Sequence, residues 1–136
     1  MACEFQLSQV LEATGGKAIS SHEKNFFGVG TDTRQSLSGQ IFVALKGEAY
    51  DAHKFLAQAE QAGAKCLIVH EDGPQIAVLS QKVTIVKVSD TLKALQDLAQ
   101  YWRKKIKAKV IGITGSNGKT TTKEFTATIL SRQFKV

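Results

Sequence analysis

The 136-residue sequence has one proline, two cysteines and few aromatic residues. This composition excludes collagen-like repeats and proline-rich low-complexity chains. Cys3 and Cys66 lie far apart and show no metal-ligand spacing with the three histidines, which argues against a disulfide framework and against zinc. We expect Cys66, within the apolar run 66–69, to be a buried free thiol, and the compartment to be reducing and cytoplasmic.

Long hydrophobic runs are also absent. No stretch approaches the ~18 apolar residues of a membrane span, and the N-terminus has no basic region followed by an apolar stretch. We therefore expect neither a transmembrane span nor a secretory signal. The hydrophobic content of 43% and the charged content of 22% are ordinary for a globular protein and argue against disorder.

Acidic residues are scarce near the C-terminus. Residues 1–100 carry nine basic and eleven acidic side chains, a net charge of −2, whereas residues 101–136 carry nine basic residues and one acid, Glu124, a net charge of +8. Such asymmetry favours an anionic partner: nucleic acid, a membrane surface or phosphate. Because aromatic and arginine residues are not interleaved with the lysines, we expect no nucleic-acid partner.

Hydrophobic periodicity predicts strands that alternate with helices. Four continuous apolar runs are typical of buried strands: 41–45, 66–69, 84–88 and 110–114. Four stretches have helical spacing or capping signals: 8–14, 55–62, about 90–105 and the residues after 118. This alternation implies βαβ units and a largely parallel sheet, so the predicted class is α/β.

Local signals add detail to these elements. Ser8 is the predicted N-cap of the first helix, Gly73-Pro74 predicts a turn, and 17–40 predicts a loop with short strands. Ser89 or Asp90 should cap the helix that ends near 105. The predicted apolar face of that helix consists of Leu92, Leu95, Ala99 and Trp102.

The most informative stretch is 110–123, V-I-G-I-T-G-S-N-G-K-T-T-T-K. A buried strand would run into a glycine-containing turn whose backbone phosphate oxygens can approach, and the N–H groups of the following helix would face that anion. Lys119 would reach the β- and γ-phosphates, and the Thr120 hydroxyl would ligate the Mg²⁺ that bridges them. Ile113 stands where the strict P-loop pattern has glycine, so the match is to the shorter G-x-x-G-K-T; the alternative is a chance helix start.

A second distinctive stretch begins with T-D-T-R at 31–34 and continues with I-F-V-A-L-K-G-E-A-Y-D-A-H-K-F at 41–55. It predicts a polar loop, a buried strand, a glycine turn and a helix with Asp51 near its N-terminus. Strand ends in an open α/β sheet are where ligands bind. This pattern by itself names no ligand, and Asp32 and Arg34 could equally form a local pair that fixes the loop.

Together, the two stretches resemble the Mur ligases of bacterial peptidoglycan synthesis over about residues 25–130. T-D-T-R, S-G-Q-I-F-V-A-L-K-G and D-A-H-K-F look like the N-terminal UDP-substrate domain of that family, and T-G-S-N-G-K-T-T looks like its ATP loop. Within the family, G-K-T-T-T-K-E is typical of the branch that joins D-alanyl-D-alanine to a UDP-N-acetylmuramoyl-tripeptide. The alternative branch, which adds the third amino acid, more often shows D-S-R, D-G-R and G-K-T-T-T-T.

The resemblance implies two sets of site residues. The ATP-binding set is Gly115, Ser116, Asn117, Gly118, Lys119, Thr120 and Thr121. The UDP-substrate set is Thr31, Asp32, Thr33, Arg34, Glu48, Ala49 and Tyr50. Lys119 would be catalytic by stabilising the transferring phosphoryl group, and Thr120 would hold Mg²⁺.

The resemblance also implies a domain organisation and a reaction. Residues 1–105 would be a small α/β UDP-substrate domain with a connecting helix, and 106–136 the first strand, P-loop and helix of a truncated central ATPase domain. ATP would convert the tripeptide carboxylate into an acyl phosphate, which the amine of D-alanyl-D-alanine attacks. Because family members are several-fold longer, we expect a monomeric N-terminal fragment without ligase activity of its own. The alternative is a stand-alone uridine-nucleotide-binding module with a vestigial P-loop.

Overall fold

The computed structural model describes residues 3–70, 79 and 82–136, which form two compact units, Met1–Ile106 and Lys107–Val136. The described residues of the first unit, called unit 1, form seven short strands: β1 (Glu4–Gln6), β2 (Lys17–Ser20), β3 (Asn25–Phe27), β4 (Val29–Gly30), β5 (Ile41–Val43), β6 (Cys66–Val69) and β7 (Thr84–Lys87). Its helices are α1 (Leu7–Thr14), a 3₁₀ helix (Ala52–Phe55), α2 (Leu56–Gln61) and α3 (Thr91–Lys105). The predicted turn at Gly73-Pro74 lies outside the described residues.

A five-stranded sheet organises unit 1. Its strand order is β2-β7-β6-β5-β4, in which β4 to β7 run parallel and β2 pairs antiparallel with β7. A separate two-stranded antiparallel sheet joins β1 to β3. The prediction of an α/β fold with a largely parallel sheet is confirmed, as are the short strands predicted within 17–40.

Helices cover both faces of the parallel sheet, so strands β5 and β6 are buried at every position. One face, with Ile41, Cys66 and Val86, packs with residues of α1 and α3. The other face, with Phe42 and Leu67, packs with residues of α2. Burial raises the pKa of the Cys66 thiol, and Cys66 is a free cysteine as predicted.

Helix termini follow the predicted signals with one exception. Asp90 caps α3 by accepting a hydrogen bond from the Lys93 amide at 3.0 Å. Helix α1 ends at Gly15, but its N-cap is Gln6 rather than Ser8. The Gln6 amide donates to Gln9 Oε1 at 3.0 Å, which satisfies the helix start without a serine.

The buried stripe of α3 is offset by one residue from the prediction. Thr91, Ala94 and Leu98 are buried, whereas Leu92 is 52% exposed and Ala99 is exposed. Leu95 and Trp102 of the predicted face do pack against the core. Thr91 and Ala94 have small side chains that contribute little hydrophobicity to the sequence pattern. The prediction therefore placed the larger Leu92 on the buried face.

The second unit, called unit 2, consists of an extended segment, a glycine-containing loop and helix α4 (Lys119–Leu130). The strand predicted at 110–114 is not formed, and Val110 and Ile111 are 67% and 61% exposed. A β-strand needs a neighbour for its ladder, and within unit 2 the described residues supply none. The described part of the chain contains no helix of the length and apolarity that crossing a membrane requires.

The position of the buried stripe of α3 predicts that truncating Leu98 lowers the free energy of unfolding more than truncating Leu92 does. We expect Leu98→Ala to lower the free energy of unfolding by about 2–5 kcal/mol, because it removes a fully buried side chain and leaves a cavity. The matched variant Leu92→Ala, on the exposed flank, should change it by at most about 0.5 kcal/mol. Urea denaturation of both variants measures the difference, and equal losses would contradict the observed face.

Candidate functional site

The carboxyl ends of the parallel strands define one edge of the unit 1 sheet. Strands β4, β5 and β6 end there at Gly30, Val43 and Val69, and the loops that follow them open at that edge. The two predicted UDP-substrate segments, 31–34 and 48–50, follow β4 and β5, which are hydrogen-bonded neighbours. This edge is where an open α/β sheet accommodates a ligand.

Asp32 and Arg34 form a pair within the first of these loops. Arg34 Nη2 donates to Asp32 Oδ2 at 2.7 Å, and Arg34 Nε donates to Oδ1 at 2.9 Å. The Arg34 amide donates to the same Oδ1 at 3.0 Å. These hydrogen bonds from Arg34 lower the pKa of Asp32 to about 2. The local pair that the sequence left open is therefore formed, and it fixes the turn.

The threonines beside this pair differ in their contacts. Thr33 Oγ1 lies 3.5 Å from Gln58 Oε1, on the first residues of α2, and Thr31 is exposed. Both hydroxyls lie on the loop that leaves β4. They remain candidates for hydrogen bonds to a ligand at this edge.

The second predicted segment is the tip of a closed turn. Lys46 and Asp51 form an antiparallel bridge, and the Gly47 amide donates to the Tyr50 carbonyl at 2.7 Å. The turn leaves Glu48, Ala49 and Tyr50 exposed, with Tyr50 57% exposed and stacked on Phe55 at 5.7 Å between ring centroids.

Arg34 and Tyr50 lie on the loops that follow the neighbouring strands β4 and β5. The hydrogen bonds from Arg34 to Asp32 raise the pKa of the Arg34 guanidinium, and the charge of Asp32 raises it further. The same edge of the sheet therefore carries a guanidinium, an exposed aromatic ring and the hydroxyls of Thr31 and Thr33.

His53 joins this edge although the sequence assigned it no role. Its Nδ1 lies 2.6 Å from Asp51 Oδ1, and its Nε2 accepts a hydrogen bond from the His70 amide at 3.0 Å. Asp51 caps the 3₁₀ helix by accepting from the His53 amide at 3.0 Å, which confirms its predicted place at a helix start. The Asp-x-His spacing is a local signal for the first contact, but the contact with His70 depends on the fold.

The predicted ATP loop lies in unit 2. Gly118 is the N-cap of α4 with φ of +75°, and Gly115 has φ of +151°, so both need glycine. Lys119 Nζ donates to the Gly115 carbonyl at 2.5 Å, which holds the lysine across the loop. Ser116, Asn117, Thr120 and Thr121 are exposed.

The residues of this loop fit a phosphate group. Gly118 offers no side-chain cap, and the first turn of α4 contains no acidic residue. The first N–H groups of the helix are therefore available to an anion, with the helix dipole in support. Lys119 and Thr120 line one cleft of about 280 Å³, together with Ile111, Ile113 and Lys123. An ammonium and a hydroxyl on one cleft suit a nucleotide phosphate with its Mg²⁺.

The Asp32–Arg34 pair predicts an unusually acidic carboxyl. By NMR titration, the Asp32 carboxyl should have a pKa of about 2, and Arg34→Ala should return it toward 3.8. Because the folded-state pKa is lowered, the pair's stabilisation is present above the ordinary value and is lost as the pH falls through the folded-state value. Arg34→Lys should give an intermediate pKa, since it keeps the charge but loses the paired hydrogen bonds. An unchanged pKa in Arg34→Ala would contradict the pairing.

Comparisons with a family pattern and with curated proteins agree with each other. The pattern of the Mur ligase family, catalytic domain, matches residues 25–103. The chain is 43% identical over 92% of its length to the UDP-N-acetylmuramoyl-tripeptide–D-alanyl-D-alanine ligase of Haemophilus influenzae, and covers 26% of that protein. It is 42% identical over 74% of its length to the UDP-N-acetylmuramoyl-L-alanyl-D-glutamate–2,6-diaminopimelate ligase of Clostridium perfringens, and covers 20% of it. The chain thus spans about a quarter of the length of the curated relatives it matches.

Solved structures give the same result. A crystal structure of MurF from Acinetobacter baumannii aligns with 97% of the chain and 28% of its own, at a TM-score of 0.81 and 36% identity. MurF from Thermotoga maritima in complex with ADP aligns with 77% of the chain and 23% of its own, at a TM-score of 0.63 and 31% identity. The family pattern covers more than half of the sequence, and the chain therefore belongs to the Mur ligase family.

Proposed function

We propose that the chain supplies the uridine-nucleotide site and the ATP loop of a ligase that joins D-alanyl-D-alanine to UDP-N-acetylmuramoyl-tripeptide in cytoplasmic peptidoglycan precursor synthesis. The similarity to the Haemophilus influenzae ligase of that name, over 92% of the chain, carries the choice of reaction. In this proposal 1–105 is the UDP-substrate domain and 106–136 begins the ATP-binding domain.

The chemistry of the unit 1 sheet edge supports the uridine-nucleotide assignment. Tyr50 offers an exposed ring, already stacked on Phe55, against which a base can stack. Arg34 uses Nε and Nη2 for Asp32, so the N–H groups of its Nη1 remain for a diphosphate oxygen. The hydroxyls of Thr31 and Thr33 and the tip residues Glu48 and Ala49 complete the proposed uridine-nucleotide site.

The chemistry of the unit 2 loop supports the ATP assignment. The residues 115–118 and the first amides of α4 would surround the phosphates, with Thr121 in the first turn. Lys119 would stabilise the charge that develops on the transferring phosphoryl group, because an ammonium fixed beside the loop needs no reorganisation. The Thr120 hydroxyl would hold Mg²⁺, which neutralises phosphate charge when bound. The Thermotoga maritima relative in complex with ADP supports a nucleotide in this family.

The proposed reaction has two displacements. An oxygen of the tripeptide's terminal carboxylate attacks the γ-phosphorus of ATP, the bond to the β-phosphate oxygen breaks, and ADP leaves. The amine of D-alanyl-D-alanine then attacks the acyl carbon, loses a proton, and expels inorganic phosphate. Lys119 acts in the first displacement through charge stabilisation alone.

A second reaction in the same family is supported by a specific observation. The chain is 42% identical over 103 residues to the diaminopimelate ligase of Clostridium perfringens, whose name specifies a UDP-muramoyl dipeptide as acceptor. Comparing the affinities of the chain for the UDP-muramoyl dipeptide and tripeptide distinguishes the two reactions. A preference for the dipeptide would instead favour the reaction that adds the third amino acid of the peptide.

The uridine-nucleotide assignment predicts binding of UDP that depends on Tyr50. Calorimetry should show UDP binding, and Tyr50→Ala should weaken it about tenfold, since base–aromatic stacking contributes about 1–3 kcal/mol. Phe27→Ala is the matched control, because Phe27 is similarly exposed at 55% but lies on β3 of the two-stranded sheet. Equal losses in both variants, or no UDP binding by the unaltered chain, would contradict the assignment.

The ATP assignment predicts that Lys119 contributes more to the affinity for Mg-ATP than Lys109 does. Lys119→Ala should weaken Mg-ATP binding about tenfold or more, because charge-assisted hydrogen bonds to phosphate contribute about 1.5–3 kcal/mol. Lys109→Ala, an exposed lysine in the same unit, should leave the affinity within about twofold. UDP binding without ATP binding would favour the stand-alone module, and steeply salt-dependent binding without nucleotide preference would favour nucleic acid.

A further inference from the structure

A chain of hydrogen bonds joins the Lys46–Asp51 turn to the end of strand β6, and it passes through both nitrogens of the His53 imidazole. Asp51 Oδ1 lies 2.6 Å from Nδ1, and the His70 amide lies 3.0 Å from Nε2. The His53 side chain is 13% exposed, so water has little access to these contacts. His70 directly follows β6, so the imidazole contacts the edge at which the candidate uridine-nucleotide site lies.

These contacts assign the tautomer of His53. A backbone amide can only donate, so Nε2 must accept and carries no proton. In the neutral ring the proton is then on Nδ1, which donates it to Asp51 Oδ1. Burial would raise the pKa of Asp51, but hydrogen bonds from the amide and imidazole of His53, with a contribution from the charge of Lys46, outweigh it and lower the pKa. Asp51 is therefore an ionised acceptor at neutral pH.

The Asp51–His53 connection fixes the turn that carries the site residues. Asp51 pairs with Lys46 across the base of the turn, and the Ala52 amide donates to the Leu45 carbonyl at 2.9 Å. The 3₁₀ helix that contains His53 also contains Phe55, on which Tyr50 stacks. A displacement of this short helix would therefore move both the base of the turn and the Tyr50 ring.

We propose that His53 is a positioning residue for uridine-nucleotide binding, and that its neutral imidazole ties the Lys46–Asp51 turn to the His70 amide so that Tyr50 meets the base in a fixed orientation. The inference rests on the proposed function of unit 1. His53 contacts no substrate in this role, since both of its nitrogens are engaged by the protein. Its effect on binding is exerted through the turn.

The test uses the full chain with UDP as the probe. His53→Ala should weaken UDP binding about tenfold or more, because it removes the acceptor of the His70 amide and frees the turn that carries Tyr50. His53→Gln, whose amide oxygen can replace Nε2 as the acceptor, should restore affinity to within about threefold. His22→Ala is the matched control, because His22 is an exposed histidine of unit 1 whose backbone amide, rather than its ring, donates to Thr84 Oγ1. Mg-ATP binding should be unchanged in all three variants.

A second measurement tests the tautomer on which the positioning role depends. The imidazole nitrogens of ¹⁵N-labelled histidine should show His53 as the Nδ1–H tautomer, and Asp51→Asn should alter that signature. An Nε2–H tautomer would overturn the inference. UDP binding that is equally strong in the unaltered chain and in His53→Ala would overturn it while leaving the uridine-nucleotide site in place. If the unaltered chain binds no UDP, the proposed function of unit 1 and this inference both fall.

Discussion

The parallel hydrogen-bonded ladder from β4 to β7 is the constraint on which the rest of unit 1 depends. Parallel strands need cover on both faces, and the residues of the central strands β5 and β6 are accordingly apolar and buried throughout. Polar function is thereby confined to the loops at the strand ends. Because all four carboxyl ends open at the same edge, Asp32, Tyr50 and His70 belong to one region despite their separation in sequence.

The sequence predicted strands β5, β6 and β7 of this ladder well, because each is a short and largely apolar run. Strand β4 lies within the segment predicted as a loop with short strands. The sequence-based prediction was wrong where burial or strand formation depends on neighbouring elements of the fold. The α3 stripe includes Thr91 and Ala94, whose burial follows from the packing of the helix rather than from their hydrophobicity. Val110 and Ile111 have the composition of a strand, yet a strand forms only when another backbone pairs with it.

The features of the candidate site are likewise of two kinds, local ones that the sequence predicts and tertiary ones that depend on the fold. The glycines, lysine and threonine at 115–121 are local features, and their backbone geometry is that of a helix start with a left-handed N-cap, as the motif requires. The Asp32–Arg34 pair is also local, since only Thr33 lies between its partners. The hydrogen bond from the His70 amide to His53 is tertiary, and the pairing of β5 with β6 in the sheet decides it.

The two candidate phosphate sites differ in their electrostatics. In unit 1 the cation is Arg34, and Asp32 neutralises it at 2.7 Å, so a diphosphate would meet little net positive charge there. In unit 2 the Lys119 ammonium is bonded to the uncharged Gly115 carbonyl, within a segment that carries most of the chain's excess positive charge. Recognition in unit 1 would therefore depend on the direction of hydrogen bonds and on stacking, both of which require a rigid turn. That requirement explains why so many contacts, from Asp51 to His53 and His70, are concentrated beneath three exposed residues.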